Sequence, residues 1–129
     1  MTARQPTDSG RKGMPMLLEP EEKIHVITRR NFDDDLRRHF AGRVIEAGET
    51  AAKVEGYVFV HDQNTNAFVR RATKRIRLVS LSDAGNVINI LPRSVNLDKL
   101  TYRTSKEGRL VVTDGTSFEM DINEFGRER

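Results

Sequence analysis

Cysteine and tryptophan are missing from the 129 residues, and the first of these absences excludes disulfides, zinc-thiolate centres and thiol catalysis outright. No run approaches the eighteen or so apolar residues that a membrane-spanning helix needs, and the N-terminus has no hydrophobic stretch of signal-peptide kind. The expectation is a cytoplasmic protein without a membrane partner. Several chemical signatures are also missing. There is no Gly-x-Gly-x-x-Gly, no phosphate-cradling loop ending in Gly-Lys-Ser/Thr, no His-Glu-x-x-His and no nucleophile elbow. The expectation is therefore a protein that is not an enzyme, with no catalytic residues, no cofactor and no bound metal. His25, His39 and His61 lie far apart in sequence, and each reads as a structural histidine rather than a ligand or acid-base group.

What the chain does contain is 36% apolar and 32% charged residues, enough to bury one small core on the hydrophilic side of globular. Residues 1–15 hold two Gly, two Pro and three cations but no aromatic or branched aliphatic residue, and read as a disordered tail. Residues 23–125 read as a single β-rich domain. Lys23 to Arg29 is rich in β-branched residues and fits a first strand. Asn31 to Phe40 has the marks of a short helix. Asn31 suits its N-cap, Asp33, Asp34 and Asp35 suit the positive end of its dipole, and Arg37, Arg38 and His39 suit the negative end. Gly42 is read as its stop, and Phe32, Leu36 and Phe40 as its apolar stripe.

From Arg43 onward the period is that of strands. Val54, Val58 and Val60 alternate with Tyr57, Phe59 and His61, so the strand from Ala52 to Asp62 is expected to be buried on both faces. A polar turn over Asp62 to Asn66 leads to strands at residues 67–71, 74–81 and 87–91. Residues 94–100 fit either one helical turn or an irregular connection. The final segment from Arg109 to Ile122 reads as a hairpin turned at Asp114-Gly115. The predicted fold is mainly β: a small antiparallel β-barrel or strongly bent sheet with one short N-terminal helix and a C-terminal β-hairpin. Its predicted core is Val44, Val54, Val58, Val60, Phe68, Ile76, Leu78, Val87, Ile90, Leu110, Val112, Phe118 and Met120.

Charge is distributed unevenly along the chain. Residues 63–81 carry Arg70, Arg71, Lys74, Arg75 and Arg77 with no acid, whereas residues 31–62 carry seven acids against four bases. Two readings follow. Five cations on adjacent strands can track the phosphates of a nucleic acid or another polyanion, or they can keep a sheet edge soluble and set the charge of a protein partner. The second reading includes a homo-oligomer formed through strand edges.

Local spacing resembles the Sm-like family of small bent barrels, which assemble into rings and typically bind RNA. The resemblance rests on Gly56-Tyr-Val-Phe-Val-His-Asp62-Gln-Asn-Thr-Asn66 and on Ala84-Gly85-Asn-Val-Ile-Asn-Ile90, and it covers residues 31–91. It implies that Asp62 and Asn66 lie in a nucleotide-contacting loop. The second segment departs from the family pattern, since Ala84 stands where a base-stacking cation is expected. Asp62, Asn66, Arg70, Arg71, Lys74, Arg75 and Arg77 are thus the candidate nucleic-acid-binding residues, RNA being favoured over DNA. Arg71-x-x-x-Arg75 and Ser80-x-Ser-x-x-Gly85 also look like the two cyclic-dinucleotide motifs of PilZ barrels. They stand too close together for the residues to converge on one ligand.

Overall fold

The computed structural model describes residues 17–29, 37–65 and 67–122. The expected tail at residues 1–15 and residues 123–125 of the expected domain lie outside the described residues. The described chain is built from nine strands: β1 (Lys23–Thr28), β2 (Arg38–Ala47), β3 (Ala51–Asp62), β4 (Ala67–Arg70), β5 (Arg75–Ser80), β6 (Asn86–Leu91), β7 (Thr101–Thr104), β8 (Leu110–Thr113) and β9 (Glu119–Asp121). A 3₁₀ turn at Leu97–Lys99 decides the open reading of residues 94–100 in favour of a helical turn, with Asn96 capping it.

The first six strands form one antiparallel sheet in the order β4-β3-β2-β1-β6. β5 pairs with the first half of β3, and β4 with its last residues, so the two lie end to end along one margin. β1 sits between β2 and β6 and so joins the start of the domain to its middle. The remaining strands make a second sheet in the order β7-β8-β9.

Period-two alternation gives the large sheet two working faces. Its inner face carries Ile24, Val26, Phe40, Val44, Ala52, Val54, Val58 and Val79, which pack together with Leu18. Its outer face carries Ala41, Phe59, Phe68 and Leu91, packed against Val95, Leu100, Val112 and Ile122 of the second half of the chain. The strand β3 is apolar on both faces because each face closes a separate core, as its sequence anticipated.

The β2–β3 pair is irregular at one glycine pair and one bulge. Gly42 of β2 lies directly opposite Gly56 of β3, and the register slips between Val44 and Glu46. A Cβ on Gly56 would stand 1.9 Å from the Ala41 carbonyl oxygen, and one on Gly42 would stand 2.4 Å from that of Glu55. The backbones approach too closely for any side chain at either position.

Four expectations are corrected. Arg38, His39 and Phe40 belong to β2, paired with Val60, Phe59 and Val58, and there is no helix of seven residues or more among the described residues. Cross-strand pairing outweighs the charge pattern that suggested a dipole; residues 31–36 lie outside the described residues. Gly42 is not a helix stop but the centre of a strand. Of the two predicted forms the barrel is not formed, since the margins formed by β5 and β6 do not pair. Finally, Ile76, Leu78, Val87 and Ile90 are exposed rather than core, at 60%, 75%, 40% and 56%. They stand on those two open margins, where one side of the strand has no neighbour. Val44, Val54, Val58, Phe68 and Val112 are buried as expected, and Val60, Leu110, Phe118 and Met120 pack at the edges of the two cores.

The C-terminal hairpin is present, but its loop runs over residues 114–118 rather than turning at Asp114-Gly115 alone. The Asp114 carboxylate accepts hydrogen bonds from the backbone N–H groups of Thr116, Ser117 and Phe118 at 3.0–3.2 Å, and its other oxygen accepts from that of Asn96. These amides, Thr116 first, hold its pKa down at about 2.

Candidate nucleic-acid interface and the buried histidine cluster

The five cations of residues 70–77 all lie on the margin formed by β4, β5 and the break between them, but alternation divides them between two faces. Arg70 is opposite Phe59 and projects to the outer face. Its guanidinium lies 4.5 Å from the centroid of the Tyr57 ring, and it donates to the Asp98 carbonyl. Lys74 also approaches that ring, at 5.5 Å, and pairs with the Asp98 carboxylate at 3.6 Å. The Tyr57 hydroxyl donates to the same carboxylate at 2.8 Å, which lowers the Asp98 pKa and raises that of Tyr57. Arg70 and Lys74 are therefore partly committed to holding the 3₁₀ turn against β3.

Arg75 and Arg77 lie opposite Gly56 and Val54 and project to the inner face. Arg77 covers the exposed rim of the Phe40 ring at 5.8 Å. Arg71 follows β4, anchored by its backbone N–H to Val58. Arg71, Arg75 and Arg77 are exposed and form no ion pair among the described residues. The structure thus brings all five cations to one sheet margin without giving them one face.

The two remaining candidates do not join them. Asp62 closes the β3–β4 turn by accepting the Asn64 N–H at 2.9 Å, and Asn66 lies outside the described residues. The row Asn86, Thr28, Arg38, Val60 runs across the sheet, so Gly85 and Asp62 share one end of it. Three strand spacings, about 14 Å along the sheet, separate them. Ser80 and Gly85 serve the turn before β6: the Ser80 hydroxyl accepts from the Asp83 N–H, and the Asp83 carboxylate from the Gly85 N–H.

Beside Tyr57 a surface cleft of about 420 Å³ opens between β3 and the 94–98 segment. Its charged groups are largely matched within the protein. Arg43 bridges Glu21 and Glu55 at 3.0 Å each, and the Lys23 ammonium donates to the carbonyls of Arg93 and Val95.

A second cluster has no local signal in the sequence, because its members are 14 and 63 residues apart. His25 of β1 and His39 of β2 both hydrogen-bond the Tyr102 hydroxyl of β7, at 2.7 and 2.6 Å. Phe68 stacks on His39 and on Tyr102, and Phe59 meets Tyr102 edge-on. His25 is wholly buried and His39 nearly so. Burial, reinforced in His25 by His39, lowers their pKa values to about 3 and about 4, so both are neutral near pH 7. Burial pushes the Tyr102 hydroxyl up.

The Tyr102 hydroxyl has one proton, so it donates to one imidazole and accepts from the other. Two buried polar atoms, His25 Nδ1 and Asn89 Nδ2, have no hydrogen-bond partner among the described residues. The cluster is a polar tie between the two sheets. Among the described residues no three His, Cys, Asp or Glu side chains gather as a metal site. Compared with known proteins, the chain matches no family model, no curated protein and no solved structure.

Proposed function

We propose that the protein is a non-enzymatic RNA-binding module that takes the phosphate backbone along the β4–β5 margin. The observation that carries this reading is the set of three exposed arginines, Arg71, Arg75 and Arg77, along one open sheet margin and without acidic partners among the described residues. Cations that project to one face along an open margin can follow the phosphates of a single strand, each neutralised phosphate releasing bound counterions. Arg70 and Lys74, already seated over Tyr57, extend the same margin and offer an aromatic surface beside it. The Sm-like resemblance of Gly56, Asp62 and Asn66 favours RNA over DNA; in this structure Asp62 is occupied by its turn, and the reading rests on the cations.

Titrating labelled single-stranded RNA and DNA at two salt concentrations tests it. The parent protein is expected to bind RNA with an affinity that falls steeply as salt rises. Changing Arg71, Lys74 and Arg75 together to Gln should leave the fold intact and reduce the salt slope by about 2, at roughly 0.7 per phosphate on a single strand. No binding by the parent at low salt, or unchanged binding by the triple variant, would remove the RNA reading.

A second reading, an interaction or self-assembly module, is favoured by a different observation. Ile76 and Leu78 on one open margin and Val87 and Ile90 on the other are exposed apolar side chains on strands with an unpaired edge.

A further inference from the structure

The two open margins differ in whether they are protected. β5 has Arg75 and Arg77 within the strand and Arg71 and Lys74 just before it, and such cations are the usual device that prevents one edge from pairing with another. β6, Asn86-Val-Ile-Asn-Ile-Leu91, carries no charge, no proline and no bulge, and its register with β1 is regular over all six residues. Among the described residues nothing pairs with its outer side.

The backbone groups it presents can be named. The Arg29 N–H donates to the Gly85 carbonyl at 2.8 Å, and these residues are opposite one another when the β1–β6 register is continued. Hydrogen-bonded pairs in an antiparallel ladder recur at every second residue, so Val87, Asn89 and Leu91 turn their backbone groups toward β1. Asn86, Ile88 and Ile90 therefore turn theirs outward. The Asn86 N–H is already taken by the Asp83 carbonyl. The free set is the Asn86 carbonyl and both groups of Ile88 and Ile90, and it is self-complementary about Ile88.

We propose that β6 is a homodimerisation edge, pairing antiparallel with β6 of a second copy about a two-fold axis at Ile88. Ile88 exchanges both backbone hydrogen bonds with its twin, and the Ile90 N–H of each copy reaches the Asn86 carbonyl of the other. Ile90 of one copy then lies opposite Asn86 of the other, and Val87 opposite Asn89, so the exposed apolar groups meet neutral neighbours. The same arrangement with β5 would gather the cations of both copies along one seam, which like-charge repulsion opposes. The dimer leaves both β4–β5 margins outward. The inference rests on the edge-pairing reading and is independent of RNA binding.

Sedimentation equilibrium of the full chain, without nucleic acid, tests it together with one crosslink. The expected result is a dimer whose dissociation constant rises by about 100-fold or more in Ile90→Lys, which places a cation against the partner strand. Ile90 is exposed, so thermal unfolding of the separated chains should not report a lost core. Because the chain has no cysteine, Ile88→Cys provides a single thiol, and the twin Cα atoms of a hydrogen-bonded pair, about 5.5 Å apart, lie within disulfide range. Mild oxidation should link this variant into covalent dimers, while Leu78→Cys on β5 stays unlinked. A parent chain that is monomeric at the highest attainable concentration overturns the proposal. So does a dimer in which Ile90→Lys has no effect, or in which Leu78→Cys links and Ile88→Cys does not; that last result would assign the contact to β5.

Discussion

The inner and outer faces of the large sheet are packed with different chemistry. Ile24, Val26, Val44, Val54 and Val58 make the inner core almost wholly aliphatic, and beside it the backbones of β2 and β3 meet at Gly42 and Gly56 with no room for a side chain. The outer core is aromatic and polar, with Tyr102 held between two buried imidazoles and Phe59 and Phe68 around them. Aliphatic packing is indifferent to pH and specifies little beyond volume. A buried hydrogen-bonded triad specifies which strand sits where and holds only while its histidines are neutral.

Gly56→Ala is the hardest blow to this arrangement. The added carbon has no space, and β2 and β3 must move apart there, so a loss of about 4 kcal/mol or more is expected, read as failure to fold or a collapsed denaturant midpoint. Retained stability would show that the two strands can separate at the glycine pair at little cost.

Acid separates the two cores next. Both imidazoles have native pKa values below the unfolded value of 6.5, so the unfolded chain binds more protons as the pH falls from about 6.5 toward 4, and stability falls with it. Going from about pH 7.5 to pH 5 should cost roughly 4 kcal/mol, about 2 for each imidazole, and the low pKa of Asp114 adds a further loss as the pH drops below 3.8. Monitoring tyrosine together with far-ultraviolet dichroism should show Tyr102 changing environment no later than the sheet signal. A stability profile flat between pH 7.5 and 5 would mean that the histidines are not buried neutral.

Tyr102→Phe keeps the ring and removes the hydroxyl that serves both histidines. Leaving two buried imidazole nitrogens unmatched should cost about 2 kcal/mol in urea unfolding and should change the pH profile, whereas a purely apolar contact would be unaffected. Leu78→Ser should do least, within about 0.5 kcal/mol, because that side chain is three-quarters exposed. A larger loss would place Leu78 in a contact outside the described residues.

How much of this was readable in the sequence depends on whether the signal is local. The alternation of Val54, Val58 and Val60 with Tyr57 and Phe59 lies within one strand, and its two-faced burial was legible. The acids and bases of residues 33–39 complement a helix dipole equally locally, yet Arg38 to Phe40 obey the register they make with β3. Gly42 looks like punctuation until Gly56 is set opposite it. Alternation also cannot tell an edge strand from a central one, which is why Ile76 and Leu78 were expected inside. The basic margin was visible as an acid-free run, but its division between two faces required the pairing of Arg75 with Gly56 and of Arg70 with Phe59. The histidine–tyrosine tie had no signal in any window, because stacking of two sheets brings its three members together.

The central position of β1 has a consequence for the order in which the molecule assembles. Strands β2, β4 and β5 all pair with β3, a near neighbour in sequence, whereas β1 must also hold β6, whose residues follow it by about sixty positions. Loop-closure entropy delays that long-range pairing, so the β2–β3 pair is the expected folding nucleus and β6 its late addition. On a ribosome, β1 would then be completed only after β6 has emerged. Substitutions at Val54 should slow refolding, while those at Ile88 should mainly hasten unfolding, a contrast that stopped-flow kinetics can measure.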